Sequence, residues 1–303
     1  MNMDKTKIFI VGSSGMLGTE LSGIIAKSDE FELCTSDISD ANGIDITDEQ
    51  SIRDHISDNN PDVVINCAAF TNVDACEEED GYAIAKKVNG FGPGLLAKVC
   101  KEQDVVLVHI STESVFGDNK IDGYMEDYQP YNPLNGYGKS KIVGEEQVAE
   151  VMGGIEGSDF NNQTPKMYIV RTSWLFGPGA TNFLAKIIKY AKERDHLDVV
   201  TDEDSSPTYI LDLAERILEL VKNDYKGGIY HITGNGHCTR NEFAKEILKH
   251  AGIDTPVYET THEQFERKTK IAKIGFLVNT KLPPMRDWQL MVEDFIKNRF
   301  QEE

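Results

Sequence analysis

Basic charge is what this chain most lacks. Its 303 residues carry 31 Lys and Arg against 51 Asp and Glu, a formal net charge of −20. A surface this acidic repels a phosphate backbone, which argues against a general nucleic-acid binder. A small anionic ligand stays open, because backbone N–H groups outweigh the global field locally. The plain reading of the charge is solubility. Cysteine is sparse as well. Cys34, Cys67, Cys76, Cys100 and Cys238 are odd in number and form no C-x-x-C pair, which speaks against a disulfide scaffold and a zinc site. No apolar run approaches the roughly 18 residues that a membrane span needs. Met1 to Lys7 lack the apolar core and small-residue cleavage site of a signal peptide. The expectation is a cytoplasmic protein that engages neither membrane nor nucleic acid.

What is present is an ordinary globular composition, 40 % hydrophobic and 27 % charged, long enough for one large domain or two modest ones. Short apolar runs at Lys7–Gly12, Phe31–Asp37, Asp62–Cys67, Val105–Ile110 and Met167–Val170 read as strands. Helical spacing connects them over Met16–Ala26, Ser51–Ser57, Ala83–Cys100 and Tyr137–Val151, the third bent near Gly92-Pro93-Gly94. Gly153 to Pro165 is polar and glycine-rich, an exposed loop. Strands alternating with helices predict an α/β fold: a Rossmann-like doubly wound parallel sheet, with ligands beyond the carboxyl ends of the strands. After about residue 171 the alternation fades and proline-bearing segments appear, so a smaller, irregular C-terminal substrate-binding lobe is expected. The division reads as 1–170 for the dinucleotide-binding domain, with 209–232 returning to it, and 171–208 plus 233–303 for the lobe.

Gly12-Ser13-Ser14-Gly15-Met16-Leu17-Gly18 joins the first strand to the first helix. Glycine there permits a tight turn and lets backbone approach a pyrophosphate, which the helix N-terminus attracts. Asp37 ends the second strand, about 20 residues on, where an acidic group bonds a ribose 2′-hydroxyl. In that role it repels a 2′-phosphate and favours NADH over NADPH. Tyr137 and Lys141 lie four residues apart on one helical face. A phenol titrates at about 10. A neighbouring ammonium lowers that value and makes proton exchange with a substrate oxygen practical. Ser111 and Thr112, at the end of the fourth strand, offer hydroxyls to the same oxygen.

These segments together resemble the extended short-chain dehydrogenase/reductase superfamily, and more closely the dTDP-4-dehydrorhamnose reductase family. The residues that carry the likeness run in order from Gly12–Gly18 through Asp45-Ile46-Thr47-Asp48, Pro61–Asp74 and Val88-Asn89. It continues through Ser111–Phe116, Tyr137–Lys141 with Gly144-Glu145, Arg171–Gly177, Asn182-Phe183, Ser206–Tyr209 and Asp212-Leu213-Ala214. The resemblance implies hydride transfer from NADPH or NADH to the C4 carbonyl of dTDP-4-dehydro-L-rhamnose, giving dTDP-L-rhamnose for surface polysaccharides. It implies that Tyr137 protonates the forming alkoxide, that Lys141 holds the nicotinamide ribose, and that Thr112 donates to the same oxygen. Gly12, Gly15, Met16, Leu17 and Gly18 then line the pyrophosphate, Asp45 and Ile46 flank the adenine, and Ala68 and Ala69 line the nicotinamide channel. Glu113, Trp174 and the Pro207-Thr208 loop face the sugar nucleotide. Asn89 reads as a structural helix residue bonded to backbone, and Trp174 has a core reading beside the functional one.

The chain departs from the family pattern in two places. Glu113-Ser114 stands where the family reads Asp-Tyr, and Ile271 to Thr280 replaces an Arg-Pro-x-x-Ser-x-Leu segment. A diphosphate contact is then lost or supplied by Lys273 or Arg267. This bears on which sugar nucleotide is taken rather than on the reductase chemistry. The family includes Mg²⁺-dependent members, but no motif here establishes a metal site, and a homodimer is left open. Two other readings stand beside the reductase: a non-catalytic dinucleotide-binding subunit like the methionine adenosyltransferase β subunit, and a related sugar-nucleotide epimerase or dehydratase. A dehydratase carries an acidic pair after the Thr112 position, which Glu113 alone does not complete.

Overall fold

The computed structural model describes residues 5–129, 131–151, 166–179, 182–223, 225–264 and 268–300. The loop expected at Gly153–Pro165 and the side chain of Arg267 lie outside the described residues. Six strands form one parallel sheet: β1 (Thr6–Val11), β2 (Phe31–Ser36), β3 (Val63–Asn66), β4 (Val106–Thr112), β5 (Met167–Thr172) and β6 (Gly228–His231), in the order β6-β5-β4-β3-β1-β2. The sheet is buried on both faces, which is why its strands read as continuous apolar runs. Along β1, Ile8 and Ile10 join one cluster and Phe9 and Val11 the other, all at 1 % exposure or less.

Helices α1 (Met16–Ile25), α2 (Glu49–Asn59), α3 (Glu79–Ala85), α4 (Gly92–Glu102) and α5 (Gly136–Val151) connect the first five strands. One face of the sheet packs Ile52 and Ile56 of α2, Leu96, Val99 and Cys100 of α4 and Val148 of α5. The other packs Leu17, Leu21 and Ile25, one turn apart along α1, against Leu213 and Ile217 of α7 (Ile210–Lys222). The helix expected over Ala83–Cys100 is broken by a π-helical turn at Lys86–Phe91, just before Gly92. Pro93, in the first turn of α4, has no N–H for the Asn89 carbonyl, so the regular ladder cannot run through this point. The Asn89 side chain is buried and bonded across the fold. Its Oδ1 accepts the Phe70 amide at 2.8 Å, and its Nδ2 donates to the Phe70 carbonyl at 2.9 Å and to Ser140 Oγ at 3.0 Å.

The part of the chain expected to be irregular holds three further helices, α6 (Phe183–Glu193), α8 (Arg240–Ala251) and α9 (Trp288–Asn298), around a third core of Phe176, Leu184, Phe243, Trp288 and Phe295. Its short strands pair locally, 175–176 with 208–209, 197–200 with 257–260, and 204–205 with 238–239. Among the described residues, no helix is long and apolar enough to cross a membrane.

Candidate active site

The chain runs from β1 outward to β2 and then returns to β3 on the other flank of β1. That reversal opens a crevice at the carboxyl ends of β1 and β3, and Gly12 sits in it at φ +79°. A Cβ on Gly12 would lie 2.5 Å from the Ala68 amide nitrogen, and one on Gly18 would lie 2.3 Å from the Gly12 carbonyl oxygen. No side chain fits at either position. The first residue before α1 is Gly15, so no side chain caps the helix. Thr19 is the first amide to bond back into the helix, to Gly15. The amides of Met16, Leu17 and Gly18 therefore keep the unpaired donors of a helix start. A tight, side-chain-free turn under an uncapped helix N-terminus fits an anionic pyrophosphate.

Asp37 closes the loop from the side of β2. Its Oδ2 accepts the Ser14 amide and hydroxyl at 3.2 and 2.6 Å, and its Oδ1 accepts those of Ser39 at 3.1 and 2.7 Å. Burial works against its ionisation, yet the bonds from Ser14 and Ser39 win and hold its carboxyl down at about 2. Asp45 Oδ1 accepts both the amide and the hydroxyl of Thr47 at 2.8 Å. The Ile46 side chain is turned into the core at 5 % exposure. Ala68 and Ala69 follow β3 and are partly exposed beside Gly12, with the Ala68 amide donating to Asn66 Oδ1 at 3.1 Å.

Thr112 and Tyr137 meet where β4 ends against the start of α5, and Lys141, one turn further along α5, reaches β4 at Ile110. Asn135 caps that helix, its Oδ1 accepting the Gly138 amide at 2.8 Å. The Tyr137 hydroxyl lies close to Thr112, and Lys141 Nζ donates to the Ile110 carbonyl at 2.7 Å. Burial pushes the Tyr137 phenol above its usual range, with the Glu113 charge adding to it and the Thr112 hydrogen bond pulling back. The expected depression by Lys141 is therefore not what this geometry produces. Burial pushes Lys141 itself down to about 8, against the pull of Glu145. Ser111 does not share the site with Thr112. Neighbours on a strand point to opposite faces, and Ser111 Oγ gives its proton to Glu145 Oε1 at 2.5 Å. The same carboxylate pairs with Arg171, both fully buried.

A pocket of about 30 Å³ opens beside Thr112, lined by Glu113, Trp174, Glu203, Ser205, Ile271 and Gly275 among others. Glu113 Oε2 accepts the Thr112 hydroxyl at 2.8 Å. Trp174 sits at φ +39°, an unusual backbone for a bulky residue and one that recurs at functional sites. The Arg240 guanidinium lies 3.5 Å from its ring centroid and is held by Glu203 at 2.9 and 3.1 Å. Pro207 and Thr208 are buried, the Thr208 hydroxyl bonded to the Ser206 carbonyl and the Gly234 amide at 3.3 and 3.2 Å. They stand outside the residues that line the pocket. Ser205, two residues earlier, does line it, and its hydroxyl is buried without a partner among the described residues. Sequence reasoning missed Glu203, Ser205 and Arg240. Only their nearness to the Ser206–Tyr209 motif signals the first two. Among the described residues no group of His, Cys, Asp and Glu is arranged to hold a metal ion.

The sequence matches the family described as RmlD substrate binding domain over residues 6–300. It is 35 % identical over 290 residues to a dTDP-4-dehydrorhamnose reductase of Streptomyces griseus, covering 92 % of this chain and 90 % of that protein. It is 33 % identical over 299 residues to the spore coat polysaccharide biosynthesis protein SpsK of Bacillus subtilis, covering 97 % and 98 %. A crystal structure of dTDP-4-dehydrorhamnose reductase from Bacillus anthracis in complex with NADP superposes with a TM-score of 0.87 at 30 % identity, covering 97 % of this chain and 99 % of that one.

Proposed function

The chain belongs to the RmlD substrate binding domain family, and we propose on that premise that it reduces the C4 keto group of dTDP-4-dehydro-L-rhamnose to dTDP-L-rhamnose, in the making of a surface-polysaccharide precursor. The observation that carries the reading is Tyr137 beside Thr112 at the carboxyl end of β4, with Lys141 reaching the same strand at Ile110 and a loop that fits a pyrophosphate at the end of β1. When bound, a reduced nicotinamide cofactor supplies the hydride. The backbone of Gly12, Gly15, Met16, Leu17 and Gly18 holds its pyrophosphate, Asp45 and Ile46 flank its adenine, and Ala68 and Ala69 line the nicotinamide side. The parallel sheet with its return strand serves the cofactor, and segments 171–208 and 233–303 serve the sugar nucleotide.

Tyr137 supplies the proton. A phenol held above its usual range is fully protonated at neutral pH, the form a proton donor needs. The Thr112 hydroxyl orients the reacting oxygen. Lys141 anchors the nicotinamide ribose, its ammonium held in place by the Ile110 carbonyl. Glu113 and Trp174 contact the sugar nucleotide from the pocket wall. Asp37 favours NADH over NADPH: it is ionised at neutral pH and bonded by serines rather than by a cation, so it repels a 2′-phosphate. The test is to mix the protein with dTDP-4-dehydro-L-rhamnose and NADH or NADPH, and to follow loss of the reduced-nicotinamide absorbance. Oxidation of at least one cofactor, faster for NADH, is expected. No oxidation of either, by protein that binds them, overturns the reading.

A further inference from the structure

Thr112 ends β4 and caps the 3₁₀ turn Glu113–Val115, so residues 113 and 114 fold back onto its side chain. Its Oγ1 accepts the Ser114 amide at 3.1 Å, its proton goes to Glu113 Oε2 at 2.8 Å, and the Tyr137 hydroxyl lies close by. A threonine hydroxyl has one proton and two lone pairs. While Glu113 is ionised it claims that proton, and Thr112 has none to give a substrate oxygen. Once Glu113 is protonated, its own O–H fills the second lone pair of Thr112, the Ser114 amide fills the first, and the threonine proton is released.

The surroundings favour the protonated form. Arg240 of α8 faces Glu113, but its charge is taken up by Glu203 and its plane lies on Trp174. Glu203 and Asp204 bring further negative charge to the pocket, Asp204 being bonded to His237, and Tyr137 faces Glu113 from α5. The 271–275 segment adds Ile271, Ala272 and Gly275, with Lys273 exposed. Burial pushes the Glu113 carboxyl up to about 7, against the Thr112 hydrogen bond and Arg240.

We propose that Glu113 is a positioning residue that, in its acid form, aims the Thr112 proton at the reacting oxygen and then restores the proton that Tyr137 gives away. The inference rests on the reductase reading above. Tyr137 transfers its phenolic proton to the alkoxide oxygen of the reduced sugar, leaving a phenolate. The Thr112 proton passes to that phenolate, the Glu113 carboxyl proton passes to Thr112, and Glu113 is left as a carboxylate. Each O–H bond that breaks is matched by one that forms, and water in the pocket that Glu113 lines returns the net proton.

The experiment compares the holoenzyme with Glu113→Gln and Glu113→Asp across pH. Glutamine keeps the shape and cannot supply a proton. For Glu113→Gln, kcat falls by roughly 10²-fold, and the inflection of kcat near neutral pH disappears, with cofactor affinity unchanged. Glu113→Asp keeps the inflection at a reduced rate. Independently of turnover, the side-chain carboxyl carbon-13 resonance missing from ligand-free Glu113→Gln titrates near neutral pH in the native chain. A Glu113→Gln enzyme with native kcat and native pH profile overturns the proposal, as does a resonance titrating at the ordinary glutamate value of about 4.3. If the native enzyme itself oxidises no cofactor, it is the reductase reading that falls, while the resonance still decides the state of Glu113.

Discussion

Glu145→Gln removes one charge from an ion pair that water cannot reach. Arg171 and Glu145 are both 0 % exposed. Arg171 Nε lies 3.0 and 3.1 Å from the two carboxylate oxygens and Nη2 lies 2.5 Å from Oε2, while Ser111 adds a further bond. The guanidinium is enclosed by rings, 5.0 Å from the Phe116 centroid and 4.9 Å from that of Tyr131. Desolvating two charges makes such a pair a weak net stabiliser, but stripping one partner strands the other in a dry site, at about 3–5 kcal/mol. Against a total stability on the order of 5–15 kcal/mol, that is a large share. Urea unfolding followed by circular dichroism will show the unfolding free energy falling by that amount, read as a lower midpoint at unchanged slope. Arg171→Met costs about the same on its own. The double variant Glu145→Leu with Arg171→Met recovers most of the loss, because apolar groups of similar size replace a buried pair at little cost. The effect reaches the pocket as well. Arg171 Nη1 lies 3.4 Å from His231 Nε2, and His231 Nδ1 bonds the Val278 carbonyl at 3.1 Å, which tethers the segment over Glu113. KM for the sugar nucleotide therefore rises in Glu145→Gln. A loss below about 1 kcal/mol for the single variants, or losses that simply add in the double, refutes the reasoning.

Tyr137→Phe keeps cofactor binding and loses roughly 10²–10⁴-fold in kcat, checked by fluorescence titration beside turnover; a full native rate removes Tyr137 as the acid. Lys141→Met loses activity yet melts no lower than the native chain at pH 7. Burial holds the folded pKa of Lys141 at about 8, below its ordinary 10.5, so the unfolded chain binds more protons between those values and native stability climbs with pH there. The variant lacks that climb. Asp37→Ala costs about 1–2 kcal/mol at neutral pH, the worth of a carboxyl held at about 2 rather than 3.8 once solvent at the loop's rim is allowed for. Because that pKa is depressed, the stabilisation is whole above 3.8 and vanishes as pH falls through about 2, which unfolding of both proteins at several pH values will show. The same variant shifts the ratio of dissociation constants towards NADPH.

The parts of this molecule that were legible in its sequence are those whose physics is short-range. Strands buried on two faces write themselves as apolar runs, as Ile8–Val11 does. The glycine loop is recognisable because the turn, the helix start and the strand lie within seven residues. Tyr137 and Lys141 are recognisable because one helical turn separates them. The break near Pro93 was legible, but its form as a π-helical turn over Lys86–Phe91 was not, because Asn89 there meets Phe70 and Ser140 across the fold. Nor was the diversion of Ser111, which needs Glu145, 34 residues away, to arrive beneath β4.

The pocket shows the same divide in its sharpest form. Segment 271–280 looked like a place of loss, where a family arginine and serine are missing. In the fold it is held like an added strand: Tyr124 donates to the Phe276 carbonyl at 3.1 Å, Val278 donates to the Tyr124 carbonyl at 2.7 Å, and the amides of Lys273 and Ile274 both reach Asn119 Oδ1. Phe276 stacks on His237 at 4.0 Å, and Leu277 is buried with Phe116 and Tyr124. These contacts lower Ile271, Ala272 and Gly275 over Glu113. The pocket wall therefore combines segments near 113, 174, 203 and 275, which no local pattern links. Proton and hydride chemistry needs a few groups at fixed short spacing, so it leaves a motif. Choosing among sugar nucleotides needs a surface assembled from distant segments, so substitutions in the pocket wall will alter substrate choice while Thr112, Tyr137 and Lys141 keep the reaction the same.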